Sequence, residues 1–577
     1  LANSNSGTFL HCFQISIHYS TSICDGEQKY ISSRKKMILK TIQELGIDCI
    51  EDSVPHVALL GSGGGERATV AMLGSTDQLV KERLFDTLLY TGGVSGSTWA
   101  MASLYSDPHF EVHMNQIISK MLGPDIPLSQ ILAWLDDRTD DDTFSLTDIW
   151  AVLTTAEIMK QLELRKLSEE AERNATNPYP IYTAVAREFT SEDPSSGTVR
   201  HWFEVSPHES GYTELDLFVD TPQLGSKFAA GCLQEKLPEM DMVKLQGICG
   251  SALADLMTII RSLLNFLGIL THPQCPQLIQ LFLRFHNMTT VVLRCVYEVF
   301  KYIIKPAVKK KVCRLSITEW VKTHYIFVKE AIVIPSPTSR EKASHALDHL
   351  LDKYPDTSSM PTTHTTLLEV SWNMTTVVLR CVYELLKHLV KALLKWEWGN
   401  TRNFLYNYQD FQTPPQLHSK DIVYLIDAGL WMNLPFPPFL GHKRAVDLII
   451  ALDFSAGKAF ETLTLAKKYA QDRANAFPQI DDKVLEERDW PRDCYVFEGK
   501  AKEPTIVYMP LFNRANCKDE KEVQKMMDKF GTFQLPYSND KLKKLLNIAR
   551  DNIKRNKSIL HREIKKAASR KRQLSSE

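Results

Sequence analysis

A serine set between small residues where an apolar strand turns into a helix leaves the chain few geometries, and Gly93-Val94-Ser95-Gly96-Ser97-Thr98-Trp99 is such a junction. Strand and helix nearly collide two positions either side of the serine, so small side chains are needed there. Gly93 meets the first demand, and Ser97 stands where a second glycine is more usual. The turn would place the serine hydroxyl at a helix N-terminus, where backbone N–H dipoles favour developing negative charge. This is how an exposed nucleophile is built, although the same letters also suit an ordinary loop.

Upstream, Val57-Ala58-Leu59-Leu60 reads as a short buried strand running into Gly61-Ser62-Gly63-Gly64-Gly65-Glu66-Arg67-Ala68, after which Val70, Met72 and Leu73 open a helical pattern. Consecutive glycines cost backbone entropy, which makes sense where backbone N–H groups must approach a reacting atom. An oxyanion hole or a phosphate cradle fits; a flexible turn is the plainer reading. Gly63 to Ala68 also satisfies a dinucleotide fingerprint. The acidic residue about twenty positions on, Asp86, then lies in a helical run and not at a second strand end, which speaks against it. Far downstream, Ile422 to Ile426 forms an apolar strand ending in Asp427-Ala428-Gly429, a carboxylate free to face a cleft or merely to cap a turn. Asn433-Leu434-Pro435-Phe436-Pro437-Pro438 reads as a rigid extended turn, and Arg444 to Ser455 contains another buried strand.

Taken in order with Asn177-Pro178-Tyr179-Pro180, Trp396-Glu397-Trp398-Gly399, Val446-Asp447-Leu448-Ile449 and Met509-Pro510-Leu511-Phe512-Asn513, these segments resemble the group IV cytosolic phospholipases A2, most nearly the gamma type. The resemblance implies an α/β fold, a patatin/cytosolic phospholipase A2-like catalytic domain over residues 35–560 with a central sheet, a nucleophile elbow and an inserted cap. It also implies that Ser95 is the nucleophile and Asp427 the base, with no histidine required. Gly64 and Gly65 would form the oxyanion hole, and Arg67 with Arg444 would sit near the lipid phosphate. A solvated aspartate is a poor base for a serine hydroxyl, so such a dyad needs a dry cleft. The implied reaction is phospholipase A2 or lysophospholipase hydrolysis of a glycerophospholipid acyl ester through an acyl-serine. A general α/β-hydrolase esterase would need a histidine after the acid, and only His442 and His561 follow it. A catalytically silent lipid-binding protein is the other alternative.

The 577 residues, 44% of them hydrophobic, can bury a large core, and a net charge of −1 gives no sign of a nucleic-acid partner. Eleven scattered cysteines without a Cys-x-x-Cys pattern suggest reduced thiols and not a disulfide framework. The 17 histidines form no metal signature, so neither metal nor cofactor is expected. Residues 1–34 read as a disordered extension, leaving no room for a calcium-binding C2 domain. Residues 252–270 are broken by Asp255 and Arg261 and read as a buried or amphipathic helix, not a membrane span. One dodecapeptide, Asn287 to Glu298, recurs letter for letter as Asn373 to Glu384, the mark of a duplication within the cap. Residues 335–364 suit a loop. At the end, 561–577 form a basic amphipathic tail, solvated or docked on anionic membrane. The expected partner is a phospholipid membrane surface, met peripherally on intracellular membranes from the cytoplasm.

Overall fold

The computed structural model describes residues 16–173, 175–187, 200–251, 399–408, 410, 413–532 and 536–576. Two compact units divide the chain, Leu1–Ile126 with Asp141–Ile259 and Trp398–Glu577 in one, Pro127–Asp140 with Ile260–Glu397 in the other. Both copies of the repeated dodecapeptide, the helix expected at 252–270 and the loop expected at 335–364 lie outside the described residues.

In the first unit, strands β1 (His18–Tyr19), β2 (Val57–Gly61), β3 (Tyr90–Gly93), β4 (Tyr179–Arg187), β5 (Arg200–Val205), β6 (Glu209–Tyr212) and β7 (Leu217–Asp220) are followed by the small pair β8 (Lys227–Ala229) and β9 (Cys232–Glu235). After the cap region come β10 (Asn400–Arg402), β11 (Ile422–Asp427), β12 (Leu448–Asp453), β13 (Tyr495–Phe497) and β14 (Thr505–Pro510). One sheet of twelve strands runs β1-β7-β6-β5-β4-β3-β2-β12-β14-β13, with β11 and β10 joined to β4. Its centre, from β4 through β3, β2 and β12 to β14, is parallel. Every residue of β2, β3, β12 and β14 is buried, which is why β2 and most of β12 and β14 are apolar throughout and why β3 ends in glycines.

The helices are α1 (Asp25–Glu44), α2 (Glu66–Lys81), α3 (Gly96–Leu104), α4 (Phe110–Met121), α5 (Leu128–Thr139), α6 (Leu146–Thr154), α7 (Met242–Cys249), α8 (Pro415–His418), α9 (Glu461–Asp472), α10 (Glu520–Lys529) and α11 (Asn539–Ser576). Among the described helices only α5 belongs to the second unit, where Ile131 and Leu135 are buried. A polar helix α2 would be unusual in a core, yet fourteen of its sixteen residues are buried, because α3 and α11 pack on it.

Three expectations change. The segment read as disordered to residue 34 is helical from Asp25, with Glu27, Tyr30, Ile31 and Arg34 buried. The polar groups among them can be buried because they bond across the molecule: Arg34 Nε donates to Leu88 O at 3.2 Å and Tyr30 Oη to Asn177 O at 3.0 Å. The basic tail is the end of the 38-residue α11 and is packed. Leu560, Ile564, Ala567 and Ala568 are buried there, Lys571 pairs with Asp447 at 2.7 Å, and Arg572 pairs with Asp48 at 2.6 Å. Finally, Cys24, Cys49, Cys249, Cys494 and Cys517 are free thiols, but Cys232 is disulfide-bonded.

Candidate active site

Ser95 caps α3 at the end of β3 with φ 53° and ψ −124°, a conformation few non-glycine residues adopt. The strand-to-helix reversal is tight. A Cβ on Gly93 would stand 2.7 Å from Met101 Sδ and 3.1 Å from Thr98 N, which is why a glycine precedes the turn. Ser97 has its own use: its hydroxyl donates to Ser62 O at 2.6 Å and ties the elbow to the glycine loop.

That loop follows β2. Gly64 and Gly65 have φ of 151° and 58°, accessible to glycine and strained for other residues. Contact with the elbow is backbone to backbone, since a Cβ on Gly96 would fall 2.0 Å from Gly65 O. Thr69 Oγ1 bonds both Gly65 O, at 3.1 Å, and Gly96 O, at 2.8 Å. Among the described residues no acceptor takes the N–H of Gly64 or Gly65. Two donors are thus left beside Ser95 at the start of a helix, an arrangement suited to an oxyanion.

Strand register brings in the carboxylate. β3 lies parallel to β4 with Gly93 opposite Tyr182, whereas β11 arrives antiparallel along the same edge of β4 with Asp427 opposite Ala184. The two strand ends therefore meet head on, two β4 residues or about 7 Å apart along that edge. Asp427 is fully buried; its N–H donates to Ser251 Oγ at 3.0 Å, and its Oδ1 accepts from Gly429 N at 2.8 Å.

Asn433 fills the space between. A Cβ on Gly63 would lie 2.4 Å from Asn433 Oδ1 and 2.8 Å from Ser95 Cβ, while one on Gly429 would lie 2.7 Å from the same Oδ1 and 3.0 Å from Asp427 Oδ1. Ser95, Asn433 and Asp427 thus crowd one small volume in which the serine and the aspartate are buried. Asn433 N–H groups bond Gly63 O at 3.1 Å and Ser455 Oγ at 2.7 Å, and Gly63 N donates back to Asn433 O at 3.1 Å. Sequence reasoning took Asn433 for part of a rigid turn. Its only signal was an amide six residues after the aspartate, next to Leu-Pro.

Arg67, in the first turn of α2, is fully buried, and burial pulls its pKa down. Its Nε donates to Phe454 O at 2.8 Å and its Nη1 to Phe530 O at 2.7 Å, while Nη2, which a Cβ on Gly64 would approach to 2.9 Å, has no partner among the described residues. Arg444 is placed otherwise. Its guanidinium is bound by Glu27 through two 2.8 Å bonds, by Glu204 at 2.9 Å and by Pro438 O at 3.3 Å, with no exposed side-chain surface. The nearby carboxylates outweigh burial and hold its pKa above the usual arginine value. Every direction from which a phosphate could approach is occupied, so the expectation of Arg444 as a phosphate ligand gives way to a structural ion pair.

The described residues contain no cluster of three or more metal-ligating groups and no helix long and apolar enough to cross a membrane. Neither candidate histidine is held near the serine: His442 is exposed beside the Lys443–Glu204 pair, and His561 bonds Leu45 O at 3.1 Å.

Comparison with known proteins bears on the family and the fold. Residues 57–266 match the lysophospholipase catalytic domain family. Cytosolic phospholipase A2 gamma of Mus musculus is 31% identical over 95% of this chain and 92% of its own. The Homo sapiens protein of the same name is 29% identical over 94% of each. The solved structure of human GIVD cytosolic phospholipase A2 superposes with a TM-score of 0.63 at 19% identity, covering 96% of this chain and 66% of that one, which supports the fold. On these grounds the chain belongs to the cytosolic phospholipase A2 family, is gamma-like within it, and is a phospholipase A2/lysophospholipase enzyme.

Proposed function

We propose that Ser95 and Asp427 form a catalytic dyad that cleaves fatty acyl esters of glycerophospholipids. The observation that carries this reading is the head-on meeting of β3 and β11 along β4, which delivers a strained serine and a buried aspartate to one volume beside two unpartnered glycine N–H groups. Asp427 takes the proton of the Ser95 hydroxyl as its oxygen attacks the ester carbonyl, and the carbonyl oxygen becomes an oxyanion bonded by the Gly64 and Gly65 N–H groups. Collapse breaks the bond to the glycerol oxygen, which leaves with the proton from Asp427 and gives a lysophospholipid or, from a lysophospholipid, the glycerophosphodiester. Water then attacks the acyl-serine, Asp427 taking its proton; the second oxyanion collapses with cleavage of the bond to Ser95 Oγ, which receives that proton back from Asp427 as the fatty acid leaves. Asn433, packed against both residues, keeps the aspartate away from bulk water. Arg67 is the candidate phosphate contact, through its unpartnered Nη2. The relatives' name, cytosolic phospholipase A2, supports a phospholipid substrate met from the cytoplasm, and in this reading a membrane surface, met peripherally, presents it.

Ser95→Ala and Asp427→Asn should each lower acyl release by at least about 10⁴-fold with the melting temperature unchanged, and the double variant should be no worse than either alone. Phospholipids labelled separately in each acyl chain serve as substrates. Full activity in folded Asp427→Asn would overturn the dyad.

A further inference from the structure

The residue directly after the oxyanion glycines is an acid with no role in the chemistry above. Glu66 opens α2, its side chain is turned inward, and the residue is 2% exposed. Its Oε2 accepts from Tyr537 N at 2.7 Å. Its neighbour Arg67 binds Phe530 O at 2.7 Å, so two consecutive residues hold the chain at Phe530 and at Tyr537. These two positions are also joined to each other, through a T-shaped ring contact at 5.7 Å and a bond from Tyr537 Oη to Gly531 O at 3.0 Å. Gly64 in turn rests on Arg67. The direction in which the Gly64 and Gly65 N–H groups point is thus set by how the start of α2 is anchored.

We infer that Glu66 is a positioning residue for the oxyanion loop that works only as the neutral acid, its ionisation turning off acyl-ester cleavage at Ser95. This rests on the assignment of Gly64 and Gly65 as the oxyanion donors. An anion at Glu66 would lie in the same buried, low-dielectric region in which the tetrahedral intermediate gathers negative charge. Glu66 directly follows Gly65, and like charges in such a medium repel, so an anion there would oppose the charge that the oxyanion gathers. Burial is the largest influence on the carboxyl and pushes it up to about 8. The facing groups act less: the Tyr537 N–H and the ammonium groups of Lys160 and Lys541 favour the anion, and Glu157 opposes it. The proton therefore stays on Glu66 at neutral pH and leaves to solvent just above it.

The test is the pH dependence of kcat and KM for the full chain on micellar glycerophospholipid from about pH 6 to about pH 9.5. Wild type should lose roughly tenfold in kcat between about pH 7 and about pH 9, as one titration centred near 8 requires, with KM flat. Glu66→Gln, which keeps an acceptor for Tyr537 N but cannot ionise, should hold kcat at about pH 9 within roughly twofold of its own value at about pH 7. A fall in Glu66→Gln that superimposes on wild type, or a fall carried by KM alone, would overturn the inference, since a merely structural glutamate moves melting temperature and not this limb. Should Glu66→Gln fail to fold, Lys541→Gln must move the wild-type midpoint to higher pH, and an unmoved midpoint also overturns it. Ser95→Ala and Gly64→Ala in the same assay keep the two readings apart. Activity retained in both removes the site assignment itself; activity lost in both, with the Glu66→Gln limb unchanged, removes only the role of Glu66.

Discussion

Ser95 sits at a positive φ that costs of order 1–3 kcal/mol, and its surroundings hold it there. Thr98 N donates to Ser95 O at 2.9 Å, Thr98 Oγ1 bonds the same oxygen, and Gly93 and Gly96 let β3, α3 and the glycine loop close on it. Gly64 is the more exacting position. A methyl there would meet Phe454 O at 2.8 Å and Arg67 Nη2 at 2.9 Å at a φ of 151°. Gly64→Ala should therefore turn the loop away from the serine and lower kcat by about 10²–10³-fold, on the scale of losing one oxyanion donor. Steady-state kinetics beside a thermal melt separates this from unfolding. Glu66 also bears on stability. Its carboxyl binds a proton more tightly folded than unfolded, so stability falls as pH rises from the unfolded value near 4.5 through the folded value of about 8. Glu66→Gln should remove that decline, and melts at neutral and alkaline pH should converge relative to wild type.

At the scale of elements, α11 shows how a charged surface segment can serve the core. Its inner row, Leu542, Leu545, Leu546, Ala549, Ile553, Leu560 and Ile564, is buried, largely against α2. Toward its end the basic residues bind the N-terminal ends of the parallel strands. Arg570 donates to Gly499 O at 2.8 Å and to Thr505 Oγ1 at 3.2 Å beside β14, and Lys571 pairs with Asp447 before β12. The elbow and glycine loop lie at the opposite, C-terminal strand ends, so a membrane held at this end of α11 would be remote from Ser95. Removing 565–577 should accordingly lower the melting temperature by several degrees, roughly 2–4 °C for each kcal/mol lost in a unit this large. Vesicle binding that drops after this truncation without any thermal destabilisation would restore the membrane-docking role.

At the scale of the molecule, α1 is joined to the sheet by a buried charge network. Glu27 reaches Arg444, 417 residues away in sequence, and Arg444 also reaches Glu204 on β5; Lys443 pairs with Glu209 at 2.6 Å. Breaking such a network leaves unpaired charge inside, so Arg444→Ala should cost about 3–5 kcal/mol of stability. The folded fraction should keep its KM for phospholipid within about threefold, measured below the lowered transition, because the guanidinium touches no substrate. A large rise in KM for substrates bearing a phosphate, without destabilisation, would return Arg444 to the phosphate site.

The sequence by itself determined the local frames: the order of short apolar strands, the turn after β3 that only small residues permit, and the glycines whose φ values no other residue adopts without strain. These depend on backbone conformation and nearest neighbours, which lie within a few residues of text. Tertiary structure alone decided the rest, because it depends on which distant groups meet. Asn433 became part of the site only when the chain after β11 folded over Gly63, and Arg444 was taken from the expected phosphate site by Glu27 on a helix read as disorder. The tail was read as free because a basic amphipathic helix has one pattern whether it faces lipid or its own protein, and Asp447 and Asp48, which occupy it, are remote in sequence. Glu66 looked like one charge among many until burial raised its pKa, a property of the space around a residue and not of its letter.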